Sequence, residues 1–203
     1  MSCAAWQRLL VLLAASLTVA CPPRLLPGVP HVPSFADCPG MLRPSDEIDG
    51  AFLLRQDIRL RSEHLDVGVQ LIVQKKGARL VLVGFTTLGF KAFTVVQEGT
   101  AITVDAPLGP AWAIPPLNLL RDLHRTRFLQ VPGGPFESGD VQATREDLTI
   151  TEHWREGMLV TRFFGRTGDT SDVRVTFNDE DVTIVHDECG YEATIVTTEE
   201  RRL

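Results

Sequence analysis

Residues 65–73 read LDVGVQLIV, and this stretch decides the fold class. Leu65, Val67, Val69, Leu71 and Val73 fall at every second position. That spacing lines one face of an extended strand with apolar side chains and leaves the other face wet. Upstream, Phe52, Leu54, Ile58 and Leu60 alternate with Arg55, Asp57, Arg59 and Arg61, giving a second half-buried strand. Downstream, Lys75-Lys76-Gly77 marks a turn, and the denser apolar run 79–85 reads as a strand covered on both faces. Residues 89–97 and 100–105 continue the pattern around a tight Glu98-Gly99 turn. The first half is therefore expected to be a five-strand meander.

Prolines in 106–115 interrupt it. Pro115 and Pro116 then open a helix expected over 117–128, since proline suits a first turn whose N–H groups lack partners anyway. Leu117, Leu120, Leu123 and Phe128 share its apolar face, with Leu119 beside it. Arg121, Asp122 and Arg125 fall on the other faces. Residues 131–140 read as a Gly/Pro loop. Five further strands are expected at 148–154, 158–166, 173–177, 182–186 and from Tyr191 onward. About ten strands around one mid-chain helix make a mainly β (α+β) fold. The expected form is a large, strongly curved antiparallel sheet or half-open barrel.

The amino terminus reads differently. In residues 1–20 one cation, Arg8, precedes an apolar run from Leu9 to Ala15 and a small-residue end at Ala20. This is the layout of a signal peptide, and the run is too short for a comfortable membrane span. Leu17-Thr18-Val19-Ala20-Cys21 resembles a bacterial lipobox, which implies acylation of Cys21, for example with palmitate. Thr18 stands where Leu is usual, and cleavage after Ala20 without lipidation is the alternative. Residues 21–45 carry seven prolines (22, 23, 27, 30, 33, 39 and 44) and are expected to form a lipidated, extended tether. The folded domain is then 46–203. If Cys21 is acylated, Cys38 and Cys189 remain as an even pair in an oxidising compartment, suited to a disulfide; two separate buried thiols are the alternative.

Composition excludes some functions. The net charge of -6 and the absence of a basic run argue against nucleic-acid binding. Phe supplies ten of the aromatic residues, and Phe has no polar handle, which suits a core or an apolar cavity. There is no GxSxG elbow, P-loop, HExxH or dinucleotide fingerprint, so no enzyme activity and no cofactor are expected. Cys38 and Cys189 sit in no CxxC pair, and the histidines 31, 64, 124, 153 and 186 are scattered, so no metal site is expected either. His153 and His186 read as surface or rim residues, and Asp179-Glu180-Asp181 as a solvated hairpin tip.

Three stretches carry a family resemblance. Residues 82–94, LVGFTTLGFKAFT, resemble a strand–turn–strand segment of a family of uncharacterised bacterial lipoproteins, in which a VG-x-T-x-LG turn precedes an aromatic pair. Residues 114–124, IPPLNLLRDLH, resemble that family's mid-chain helix, and residues 182–195, VTIVHDECGYEATI, its last hairpin. The resemblance covers most of 50–198. It implies a fold like LolA and LolB, the periplasmic carrier and outer-membrane receptor for lipoproteins, with an apolar cavity for acyl chains. Some relatives are encoded beside aryl-polyene pigment genes. The implied function is a membrane-anchored carrier or receptor in envelope lipid or lipoprotein traffic. It would face the periplasm with a periplasmic carrier protein as candidate partner, and Pro22 after Cys21, in place of the Asp that retains lipoproteins at the inner membrane, favours the outer membrane. A structural or scaffolding lipoprotein that binds a protein partner is the alternative. Phe85, Phe90, Phe93, Leu120, Leu123 and Phe163 are the candidate cavity lining. Trp112 and Ile114 are the candidate membrane-contact loop, with a Trp buried in a lid as its alternative.

Overall fold

The structure is a computed structural model and describes residues 38–108, 113–166 and 173–203. Cys21, the expected leader, the expected tether as far as residue 37, and Trp112 lie outside the described residues. Eleven antiparallel strands form one sheet: β1 (Phe52–Arg61), β2 (Asp66–Lys76), β3 (Arg79–Thr86), β4 (Lys91–Glu98), β5 (Ala101–Asp105), β6 (Gly139–Arg145), β7 (Leu148–Arg155), β8 (Met158–Arg166), β9 (Val173–Phe177), β10 (Val182–His186) and β11 (Tyr191–Arg202). Their spatial order is β5-β4-β3-β2-β1-β11-β10-β9-β8-β7-β6. The first and last strands thus pair in the middle of the sheet, from Phe52 with Arg202 to Arg61 with Glu192. The two meanders run outward from that seam, and the sheet stays open between β5 and β6.

The connection across the opening holds the helix. α1 (Pro116–Leu123) begins with proline at its first turn and continues into a wider π-type turn, His124–Phe128, closed by Leu129 N–H to the His124 carbonyl at 2.8 Å. Leu119, Leu120 and Leu123 are buried against the strands' inward residues, among them Leu54, Leu60, Leu71, Leu82, Val95 and Ile184. Each such side chain contributes about 1.5–3 kcal/mol by leaving water. The half-open, curved barrel with its helix matches the expected architecture. Among the described residues, no helix is long and apolar enough to cross a membrane.

One glycine is required sterically. Gly84 pairs with Phe93 across β3 and β4, and a Cβ at residue 84 would run into the Phe93 ring. Phe93 is fully buried because position 84 has no side chain.

Three expectations change. The strand β6 was not expected; its Gly139-Asp-Val-Gln-Ala-Thr-Arg145 is almost wholly exposed at the sheet edge, so no apolar alternation marks it. Short polar edges of this kind resist pairing with other chains. The stretch from Cys38 to Ser45, expected as tether, is packed on the domain. Cys38 N–H donates to Asn118 Oδ1 at 2.9 Å, Arg43 N–H to His124 Nδ1 at 3.0 Å, and Ser45 is buried. Finally, Asp122 and Arg125, read as lying off the apolar face of α1, are buried, and Arg125 donates to the Pro39 carbonyl of that segment.

Candidate functional site

The helix is held over the concave side of the sheet by polar side chains as well as apolar ones. Asp122 is 1% exposed and accepts from His186 Nε2 at 2.9 Å, the Tyr191 hydroxyl at 2.9 Å and Arg125 Nη1 at 3.0 Å. Burial pushes the Asp122 carboxyl up. The hydrogen bond and field of His186, then the Arg125 guanidinium and the Tyr191 hydroxyl, pull it further down, and it sits below its ordinary value. Burial, together with the Asp122 charge, raises Tyr191, so its hydroxyl stays a donor. Arg125 reaches back to the Pro39 carbonyl at 2.7 Å.

A second buried pair lies at the helix end. Arg162 Nε donates to Glu152 Oε1 at 2.7 Å, while its Nη1 donates to the carbonyls of Arg125 at 2.7 Å and Thr126 at 3.3 Å. Glu152 also accepts from Trp154 Nε1 at 3.1 Å and Val131 N–H at 3.3 Å. Helix C-termini leave carbonyls without intrahelical partners, and Arg162 satisfies two of them.

His124 completes the clamp. Its Nδ1 accepts from the Arg43 backbone, so the ring proton sits on Nε2 and is donated to Gln97 Oε1 at 3.0 Å. Burial, and next the Arg43 charge, lower His124 to about 3. The unfolded chain takes up this proton near the ordinary value of 6.5, whereas the folded chain does so only near 3. The stability that His124 contributes is therefore complete above about 6.5 and falls as pH drops, by up to about 1.4 kcal/mol per unit until about 3. Glutamine at 124 can keep both hydrogen bonds without titrating. The denaturant midpoint of the His124→Gln protein should thus fall less between pH 7 and pH 4.5 than that of the parent.

Beside the first network opens a cavity of about 300 Å³. Met41, Leu129, Leu148, Phe164 and Val173 form its apolar wall. Arg125, Glu146, Asp147, His186, Glu188 and Cys189 bring polar groups to it. This combination, an apolar wall with few polar groups, is that of a small-molecule pocket at the lower end of the usual size range.

The six residues expected to line a cavity are placed elsewhere. Phe93, Leu120 and Leu123 are packed core. Phe85 and Phe163 are half-buried on β3 and β8, and Phe90 is 65% exposed on the β3–β4 turn beside Leu88, which is 80% exposed. None of the six is among the described residues lining the cavity. The strand period explains one displacement: Phe164, next to Phe163, points to the other face and into the cavity. Ile114 is fully buried, so in this conformation it is no membrane contact. Cys38 and Cys189 are bonded in the structure, with Cα atoms 5.9 Å apart. His186, expected at the surface, is 2% exposed because Asp122 takes its Nε2 and Tyr191 stacks on its ring, 4.2 Å between centroids. His153 does lie at the surface, paired with Asp140 at 2.7 Å.

A family model described as "Protein of unknown function (DUF3261)" matches residues 54–199. No curated protein matches the chain. Among solved structures, the chain is similar to a LolA superfamily protein from Nitrosomonas europaea, with a TM-score of 0.46 and 11% identity over 78% of this chain and 90% of that one. It is also similar to a putative outer membrane lipoprotein-sorting protein domain from Vibrio parahaemolyticus, with a TM-score of 0.42 and 9% identity over 78% and 87% of the two chains. A DUF1329 family protein from Desulfovibrio piger follows, with a TM-score of 0.37 and 8% identity over 77% and 87%.

Proposed function

The chain belongs to the DUF3261 family of proteins of unknown function, and from that premise we propose that it binds a lipid or acyl chain in its cavity and serves as a carrier or receptor in envelope lipid or lipoprotein traffic. The observation that carries this reading is the cavity of about 300 Å³ with its wall of Met41, Leu129, Leu148, Phe164 and Val173. Burying an acyl chain contributes about 0.8 kcal/mol per methylene, so such a wall suffices for affinity without a dedicated polar motif. Arg125 and the acidic groups at the wall would meet the polar end of the ligand. The activity on this reading is binding and handover, without chemistry.

Further features fit the same role. Acylation of Cys21 would place the domain at a membrane, on this reading the outer membrane, facing the periplasm. The neighbouring exposed side chains of Leu88 and Phe90 supply an apolar tip with no partner in the core. Such a tip suits transient contact with a bilayer or with a carrier protein.

The test is native mass spectrometry of the chain purified from bacterial membranes or periplasm and exchanged out of detergent. Bound masses that match fatty acids or phospholipids are expected, and they should disappear in Leu148→Arg, which puts a cation into the apolar wall at a half-buried position. A clean mass with no uptake of added lipid would sink the reading. The scaffolding alternative, a domain that binds a protein partner by its surface, would then take its place.

A further inference from the structure

A second site lies at the rim of the same cavity and does not depend on lipid binding. Cys38 Sγ, Cys189 Sγ and a ring nitrogen of His186 lie within 4.8 Å of one another. They come from far apart in the chain. Cys38 lies in the segment bonded to Asn118 of α1, His186 ends β10, and Cys189 sits three residues later in the turn to β11. His186 Nε2 is committed to Asp122, whereas its Nδ1 is buried and has no hydrogen-bond partner. A buried imidazole nitrogen left unpaired is costly and calls for an explanation. The bond to Asp122 and the stack on Tyr191 hold the ring in this orientation.

This is how metal-binding histidines are built. The outer nitrogen donates to a carboxylate, which fixes the tautomer and leaves the other nitrogen bare for an ion. Here the ring that carries the bare nitrogen has a nitrogen within 4.8 Å of two sulfurs. Two thiolates and one imidazole are a ligand set for Zn(II), with a fourth position left for water or an added ligand. His186 and Cys189 both line the cavity, which gives an ion and a reductant an approach from solvent.

We propose that Cys38, His186 and Cys189 form a redox-gated site for a thiophilic divalent ion of the Zn(II) class, closed as the disulfide and opened by a dithiol reductant. In the opening step the dithiol gives two electrons and two protons and becomes a disulfide, and the Cys38–Cys189 bond becomes two thiols. The ion then displaces both thiol protons to solvent and binds two thiolates with the neutral His186 ring. Asp122 acts as a positioning residue through His186.

The experiment uses the full chain and Co(II), a spectroscopic stand-in for Zn(II). The protein is reduced with a phosphine, freed of reductant without oxygen, and titrated with Co(II). The thiolate-to-cobalt absorption is expected to saturate at one ion per chain, with the β-sheet circular dichroism retained. The untreated, disulfide-bonded chain should give no such absorption. His186→Gln keeps a donor for Asp122 but lacks the second ring nitrogen, and Cys3 and Cys21 are unchanged in it. Binding in this variant should weaken by more than about tenfold, the lower bound for losing even an outer partner of a metal ligand. Absence of Co(II) absorption in the folded reduced chain would overturn the proposal. So would loss of the sheet signal on reduction, or equal binding with Gln at 186.

Discussion

Replacing Asp122 by Ala should destabilise the fold by about 3–5 kcal/mol, the cost of stripping the partner from buried charges. The carboxylate is the common acceptor for Arg125, His186 and Tyr191, which come from the helix and from the two strands of the last hairpin. Without it, a guanidinium that is 5% exposed loses its counter-charge, and two further donors lose their acceptor. Asn at 122 keeps one acceptor oxygen and should recover part of the loss. Urea denaturation at pH 7 measures both, read from midpoints at unchanged slope. A loss below about 1 kcal/mol for Ala would mean that the network is incidental to stability. The pH dependence has a defined direction. The Asp122 carboxyl lies below its ordinary value of 3.8, so its contribution is present at neutral pH and is lost as pH falls through that lowered value.

What the sequence revealed and what it hid divide along physical lines. Alternation at 65–73 and 52–60 reports burial on one face of a strand, and those strands are where periodicity put them. Turn glycines are equally legible, because Gly77, Gly99 and Gly157 adopt positive φ where only glycine does so cheaply. The edge strand β6 has no buried face and therefore no alternation to read. The candidate site was harder. Helical periodicity sorts residues by polarity, so it placed Asp122 and Arg125 off the apolar face and gave no sign of their burial. In the fold they are buried because each finds partners more than sixty residues away, His186 and Tyr191 for one and Pro39 for the other. No local pattern encodes such a pairing. The metal-like grouping of Cys38, His186 and Cys189 is hidden for the same reason: it depends on the N-terminal segment folding back over the β10–β11 turn. The cavity wall is assembled from an N-terminal segment, the helix end and several strand ends, so its residues share no period. A cue did exist at 186–189, where a His and a Cys stand three apart beside a turn glycine, but alone it is too common to signify.

The Arg162–Glu152 pair leads to the second large effect. Arg162→Met keeps much of the side chain's length and removes the charge, leaving Glu152 1% exposed with no cation beside it. The expected cost is again about 3–5 kcal/mol. Replacing both partners, Arg162→Met with Glu152→Leu, should cost clearly less than Arg162→Met alone, because no uncompensated charge then stays buried. The effect should also be local. Arg162 takes the carbonyls of Arg125 and Thr126, so its loss frees the last helical turn and its link to Leu129 and Val131, while the β1–β11 seam is untouched. Hydrogen exchange should therefore rise in residues 123–131 of the Arg162→Met protein well before it rises in 54–60 or 191–197. Leu129 belongs to the cavity wall, and Arg125 stands at the same cavity. If the helix end is what admits a ligand, lipid exchange should quicken in this variant. Uniform loss of protection across the sheet would show instead that Arg162 supports the whole fold and does not gate the cavity.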